Sequence, residues 1–509
     1  MNNLKMPGSW VKCEIEQLLE VQPDGKLIHQ GWSPQCDKEP AKIGEWGVLK
    51  TTAIQDGFFL EEENKRLPED KEPKSRIEVK PGDLLVTNAG PRARCGVICY
   101  VKKTRPKLMI SGKMYRLRFP ENLIHPEYIE SWLRTSFSQK ALNERKTGIS
   151  ESGLNMTQAK FKTLPIVVAP FEEQKAIADK LDSLLAQVNI TKTRLERTLE
   201  TLKQFRQSVL ADAVSGKLTE DWNKTDGSSH TGTVDLDGLK RLKKKLIEEK
   251  NVKKDLSFET GKQLFPIPVG WHFVKLKSVA TKITDGEHKT PKREQNGRWL
   301  LSARNVRDGY ISLDKVDYVG EEEYEKLRKR CDPQKGDILI SCSGSVGRIS
   351  LVDKDDSYVM VRSVALVKTC DNYINNRYLE YALRSPMLQK LIEESSKATA
   401  QANLFLGPIK ELDIPLPSIT EQNEIVHRVD NIFASADATE QQINQVLERV
   451  NNLTQSILAK AFRGELTEQW RKDNPELVSG ENSAEALLEK IKAERAVAKP
   501  KRKTRKKTG

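Results

Sequence analysis

SVLADAVSGKLTEDW occupies Ser208–Trp222, and SILAKAFRGELTEQW occupies Ser456–Trp470, 248 residues further along the chain. At the same offset Glu173-Gln174 falls on Glu421-Gln422, Ile177 on Ile425, Asp182 on Asp430, Thr191 on Thr439, Leu199-Glu200 on Leu447-Glu448 and Gly216 on Gly464. No gap is needed between Phe171 and Trp222. The length of these segments is therefore itself constrained, and a repeat of this kind has to be settled before any other reading.

The apolar spacing gives the reason. In the first copy Ile177, Leu181, Leu184, Val188, Thr191, Leu195, Thr198, Leu202, Phe205 and Val209 follow steps of four and three. The second copy gives Ile425, Val429, Ile432, Ala436, Thr439, Ile443, Val446, Val450, Leu453 and Ile457. A seam sustained in this way predicts a coiled coil, with Thr191 and Thr439 as polar seam residues that set register. Pro170 and Pro417 precede the helices, and Gly216 and Gly464 stand where they should stop. About forty residues at ~1.5 Å rise make a rod of roughly 60 Å. Two such helices in one chain most economically pair with each other, and if antiparallel they relate their flanking regions by a pseudo-twofold axis. The alternative is a core helix in each of two duplicated domains, for which this length is unusual.

Each rod follows a region of roughly 150 residues, and these regions resemble each other weakly. GDLLVTNAG (Gly82–Gly90) pairs with GDILISCSG (Gly336–Gly344), and PGSWVKCEIEQL from Pro7 with PVGWHFVKLKSV from Pro268. Gly31-Trp32-Ser33-Pro34 echoes DGEHKTP from Asp285, and WGVLKTTAIQDGFF from Trp46 echoes WLLSARNVRDGYI from Trp299. Short β-branched runs punctuated by Gly, Asp and Pro predict β-rich domains with a few helices. The expected organisation is a first domain over 1–170, a coiled-coil helix over 171–222 and a polar linker with a short basic helix over 223–262. A second domain over 263–417, a second helix over 418–471 and a basic tail over 472–509 complete it, with a short helix recurring near Ala484–Ala496. The fold class is α+β.

The 509 residues are too many for one ordinary core. No apolar run is long enough to cross a bilayer, and the opening MNNLKMPGSW lacks the apolar core of a signal peptide, so a cytoplasmic location is expected. Net charge is +13, but ten Lys or Arg against two Glu from Glu489 to Gly509 account for eight of those charges. The body is only mildly basic, so a nucleic-acid surface has to come from local clustering. Seven scattered cysteines without a C-x-x-C pair read as reduced, buried thiols and give no metal site. No phosphate-binding loop, dinucleotide fingerprint, H-E-x-x-H or amino-methyltransferase signature is present, and the six histidines stand apart. The chain is expected to do no covalent chemistry by itself.

With FEEQKAIADKLD (Phe171–Asp182), ITEQNEIVHRVD (Ile419–Asp430), the two quoted phrases, GDLL/GDIL and TDGEHKTP in order, the chain resembles the specificity subunit of type I restriction–modification systems over roughly residues 5–471. The resemblance implies two target-recognition domains, joined and separated by two long antiparallel coiled-coil helices in a pseudo-twofold arrangement. It implies that each domain reads one half of an asymmetric bipartite site on double-stranded DNA, with the coil as spacer. It further implies docking of two modification subunits, which carry S-adenosylmethionine and methylate adenine, and of two restriction subunits using ATP and Mg2+. This chain would bind no cofactor or metal, and no membrane.

A reader places Arg against guanine and Asn or Gln against adenine in the major groove. Loop candidates in the first domain are Gln30, Gln35, Asn88, Arg92 and Arg94, with Lys102, Lys103 and Arg105 for phosphates. In the second they are His288, Lys289, Arg293, Arg304, Asn305 and Arg348. Each has an alternative as a surface charge or ion-pair member. A free-standing DNA-binding or scaffold protein built on the same duplicated frame remains the competing reading.

Overall fold

The computed structural model describes residues 6–148, 150–222, 233–396 and 403–498. The polar stretch 223–232 and the basic end beyond 498 lie outside them. Two compact units result, one from Met1–Leu195 with Gln445–Gly509 and the other from Glu196–Asn444. Both divisions fall inside the long helices, which run Phe171–Ser215 and Ile419–Phe462. Each unit is thus one β-rich domain with the start of one long helix and the end of the other.

The two units repeat one topology. In the first, Val11–Glu14 pairs antiparallel with Pro165–Val168, and a four-stranded antiparallel sheet runs Ile28–Gln30, Met114–Leu117, Leu84–Thr87, Ile98–Tyr100. A three-stranded sheet of Leu108–Met109, Gly47–Leu49 and Asn64–Arg66 mixes parallel and antiparallel pairing. In the second unit His272–Lys275 pairs with Asp413–Leu416. Its four-stranded sheet runs Ala280–Asp285, Val364–Thr369, Ile338–Ser341, Ile349–Leu351, and its mixed sheet Asp317–Val319, Arg298–Leu301, Tyr358–Met360.

The GDLL and GDIL runs are the central strands, and they are apolar at successive positions because both faces are covered. Leu84 and Val86 join the core shared with the helices, while Leu85 joins the core of the mixed sheet. Ile338, Ile340 and Leu339 divide in the same way. The preceding glycines have φ +94° and +90°, which only glycine adopts without strain. Asp83 and Asp337 close the turn by accepting from the Lys80 and Gln334 backbone N–H at 2.8 Å, and pair with Arg118, just past the adjacent strand, and Lys368, on it.

The shared Glu-Gln at each long-helix start is a latch. Glu173 is fully buried and accepts from Trp10 Nε1 at 2.8 Å, Thr467 Oγ1 at 2.7 Å and Arg471 Nη1 at 2.5 Å. Glu421 accepts from Trp271 Nε1 at 2.7 Å and Thr219 Oγ1 at 2.8 Å. Gln174 accepts from the His125 N–H and donates to the Ala169 carbonyl; Gln422 does the same with Asn375 and Pro417. Lys180 donates to the Leu466 carbonyl at 2.8 Å and Arg428 to the Leu218 carbonyl at 2.9 Å. Gly216 (φ +79°) and Gly464 (φ +75°) stop the helices as expected, with Pro268 and Pro7 packed where a β-carbon would stand. In each unit the start of one helix therefore lies against the end of the other, antiparallel.

The seam needs a correction. Ile177, Leu181, Ile425, Val429, Ile443 and Val450 are buried, and Leu184, Val188, Leu195, Leu202 and Ile432 are half-buried. Thr191, Thr439 and Leu453 are exposed, as are Thr198, Phe205 and Val446. Both threonine hydroxyls instead donate to the carbonyl four residues back, Gln187 and Ser435, at 2.9 Å. One of the two seam lines runs a residue later, through Lys192, Leu199 and Arg206, and through Glu440, Leu447 and Thr454, all half-buried. Arg206 bonds Glu440 and Asp437 at 2.6 Å each. Long Lys and Arg stems cover apolar surface while their charges find partners at the edge, so a polar line displaced a more apolar one.

The two short helices after the repeat are docked. Leu236–Glu248 buries Leu239 and Lys243, whose ammonium donates to the carbonyls of Lys277 and Ala280 at 3.1 and 2.5 Å. Ala484–Ala498 buries Leu487 and Ile491 at the same offset and joins the first domain's core. All seven cysteines are free thiols, five of them buried, and burial pushes Cys13, Cys331 and Cys342 up to about 12. Among the described residues no helix is long and apolar enough to cross a membrane, and no cluster of three His, Cys, Asp or Glu is placed to hold a metal.

Candidate nucleic-acid interface

One end of each four-stranded sheet gathers three loops. In the first unit they follow Gln30, follow Thr87 and precede Met114, tied by Gln30 Nε2 to the Gly112 carbonyl at 2.7 Å, Gly112 N–H to Ser33 Oγ at 3.0 Å and Asn88 N–H to the Lys113 carbonyl at 2.9 Å. In the second unit the Arg362 N–H bonds the Glu287 carbonyl at 3.0 Å, and the Cys342 N–H the Ser363 carbonyl at 2.8 Å. Gly31 and Gly286 open equivalent loops. A β-carbon on either would stand 2.1 Å from a carbonyl oxygen of the crossing strand, Ile110 or Met360. This close crossing is what requires glycine in both GWSP and DGEHKTP.

Of the first-domain candidates, Gln30 and Gln35 are exposed on the first loop. Arg92 is exposed but clasped by Glu151, with Nε and Nη2 bonds of 2.5 and 2.9 Å. Asn88 and Arg94 are spent inside the domain. Asn88 is 1% exposed beside the Tyr115 hydroxyl, and Arg94 donates to the carbonyls of Thr51 and Ile54. Lys102 lies elsewhere, bonded to Glu127 and Asp182 at 3.0 Å each. Arg105 is half-buried and holds the carbonyls of Ala41, Glu45 and Pro106, while Lys103 beside it is exposed.

In the second domain His288 and Lys289 are exposed on the first loop, and the Glu287 carboxylate accepts their backbone N–H groups at 2.8 and 2.9 Å. Those bonds, the Lys289 one foremost, hold Glu287 below the usual carboxylate range. His288 Nε2 stands 2.8 Å from Asp285 Oδ2. Arg293 and Arg304 both reach Asp317, at 3.1 and 2.8 Å. Arg348 is half-buried. Asn305 is fully buried, and its amide accepts from Ser302 and donates to the Ser312 carbonyl at 3.0 Å, so it shapes a turn and offers nothing to a base.

Residue type alone missed several cations at the same edges. Lys113 and Arg362 are exposed one and two residues before the strands Met114–Leu117 and Val364–Thr369. Lys74 Nζ sits 4.1 Å over the Trp32 ring, beside Lys71 and Arg76 on a segment with only a single 3-10 turn at Ser75–Ile77, whereas the second domain uses Glu321–Arg328 as an α-helix at the corresponding stage of its chain. The sequence signal for Lys113 and Arg362 was their place one or two residues before an apolar strand.

A family profile described as the type I restriction modification DNA specificity domain matches residues 7–201 and 268–449. The chain is 40% identical over 435 residues to the type I restriction enzyme EcoBI specificity subunit of Escherichia coli, spanning 84% of this chain and 83% of that protein. It is 33% identical over 468 residues to the EcoKI specificity subunit of Escherichia coli strain K12, with 91% of each covered. Among solved structures, a chain from work on complex assembly and conformational transition of the type I R-M system shares the fold, with TM-score 0.61 and 18% identity over 91% of this chain and 99% of that one.

Proposed function

The chain belongs to the DNA specificity subunits of type I restriction–modification systems, and from that premise we propose that each unit reads one half of an asymmetric bipartite site on double-stranded DNA. The observation that carries this reading is the contrast within the repeat. The Trp–Glu–Thr latch recurs in both units with distances that agree within 0.1 Å, while the exposed side chains on the sheet-edge loops differ. The base-reading set we favour is Gln30, Gln35 and Arg92 with Lys113 in the first domain. In the second it is His288, Lys289, Arg293, Arg304 and Arg348 with Arg362. Lys71, Lys74 and Lys103 serve phosphates, which carry affinity without sequence information.

We assign to the long helices the spacer between half-sites and the docking of two modification subunits. Phe205 in one unit and Val446 and Leu453 in the other are 47%, 38% and 47% exposed. Val446 and Leu453 stand seven residues apart, the spacing of one helix face. The docked subunits bring S-adenosylmethionine and adenine methylation, and two restriction subunits bring ATP- and Mg2+-dependent cleavage. This chain supplies address and assembly, in the cytoplasm alongside the DNA, and no bond-making residue. Exchanging residues 268–416 for those of a relative, then mapping methylated adenines across a host genome, tests the division of labour. One half-site should change while the other half and the gap persist, and a change in both halves would refute it.

A further inference from the structure

Apart from the latch, one exposed device recurs in both units. The hairpin Ile54–Gln55/Phe58–Phe59 turns at Asp56-Gly57, and Val306–Arg307/Tyr310–Ile311 turns at Asp308-Gly309. Gly57 (φ +83°) donates to the Ile98 carbonyl at 3.3 Å, and Gly309 (φ +92°) to the Ile349 carbonyl at 2.9 Å. Each glycine lies under an arginine from a helix end: a β-carbon would stand 2.2 Å from Arg134 Nη1 or 2.7 Å from Arg384 Nη1. The tip is thus held rigidly, and what it presents is an aromatic ring, Phe58 at 53% exposure and Tyr310 at 60%.

A half-exposed ring adds little to folding, yet it is kept at the same position in two domains that otherwise diverge most in their exposed loops. Side chains that face DNA have reason to differ, because the half-sites differ. A feature that recurs fits a partner that recurs. The second tip also carries the exposed carboxylate of Asp308, which repels phosphate and suits a cationic side chain on a protein, whereas the exposed Asp56 is already paired with Arg134 at 2.7 Å. In the first unit the tip borders a cleft of about 660 Å³ with Lys102, Arg134, Asp182 and Gln455, room for side chains of an inserted segment.

We propose that Phe58 and Tyr310 are anchor residues for the modification subunits, one ring to each copy, packing against an apolar side chain flanked by a cation. This rests on the reading that two identical methylating subunits dock on the chain. The test is to co-express the full chain with its modification subunit and titrate dissociation by native mass spectrometry, for wild type, Phe58→Ala, Tyr310→Ala and the double variant. Each single variant should keep one copy at wild-type affinity and release the other roughly ten-fold or more easily, and the double variant should release both. Phe58→Tyr and Tyr310→Phe should bind as wild type, and Asp308→Lys, at the exposed turn, should weaken one copy as Tyr310→Ala does. Two tight copies on every variant would overturn the proposal while leaving the docking reading intact. Unchanged stoichiometry with weakened DNA binding would overturn it in favour of a DNA contact. A wild-type chain that binds no modification subunit would take both readings down together.

Discussion

Trp10–Glu173–Thr467 and Trp271–Glu421–Thr219 are the same hydrogen-bonded triad built twice, at 2.8 and 2.7 Å in one unit and 2.7 and 2.8 Å in the other. Gln30-Gly31-Trp32 and Asp285-Gly286-Glu287 occupy equivalent loops yet share only the glycine. The difference lies in what each has to satisfy. A buried carboxylate leaves no latitude, because every donor aimed at it is stranded if it goes. An exposed loop has only to keep its backbone crossing, so its side chains are free to differ.

The sharpest way to break this comparison is to remove a latch. Glu173→Ala strands the Trp10 N–H, the Thr467 hydroxyl and Arg471, and should cost about 3–5 kcal/mol in denaturant unfolding. Glu421→Ala should fall in the same range, and a loss below about 1 kcal/mol at either would show that the latch is not structural. Next come the helix stops. Gly216→Ala and Gly464→Ala force a β-carbon to within 2.2 and 2.3 Å of Pro268 and Pro7 at positive φ, and each should cost about 3 kcal/mol.

Lys243 and Ile491 stand at the same repeat position and sharpen the comparison through pH. Burial lowers the Lys243 ammonium from 10.5 to about 8. Between those values the unfolded chain binds the extra proton, so the second unit should gain stability as pH rises from 8 towards 10.5. Lys243→Met should remove that slope, leaving a denaturant midpoint that stays level from pH 8 to 10.5. A wild-type slope that falls with pH across this window would have the sign wrong. The smallest effect concerns the seam: Thr191→Ala should change the unfolding midpoint within about 0.5 kcal/mol, whereas Leu195→Ala should cost about 1–2 kcal/mol. Equal losses would restore Thr191 to the seam.

Much of the frame was legible before any coordinates. The gapless offset, Pro170 and Pro417 before the helices, and Gly216 and Gly464 after them correspond to the observed helix limits closely. Less of the interface was. Asn88, Arg94 and Asn305 had the right chemistry for bases, but Asn88 is buried and the hydrogen bonds of Arg94 and Asn305 turn inward, and side-chain type carries no information about which way a loop residue points.

By itself the sequence determined that two long helices and two related β-rich domains exist, because periodicity and repetition are properties of order along the chain. Which of two adjacent heptad lines turns inward was decided only by packing, where Arg206 found Glu440 and Asp437. The meaning of Glu-Gln was decided there too. Its partners Trp10 and Thr467 lie 163 residues before and 294 residues after Glu173, and only folding brings donors so distant to one carboxylate.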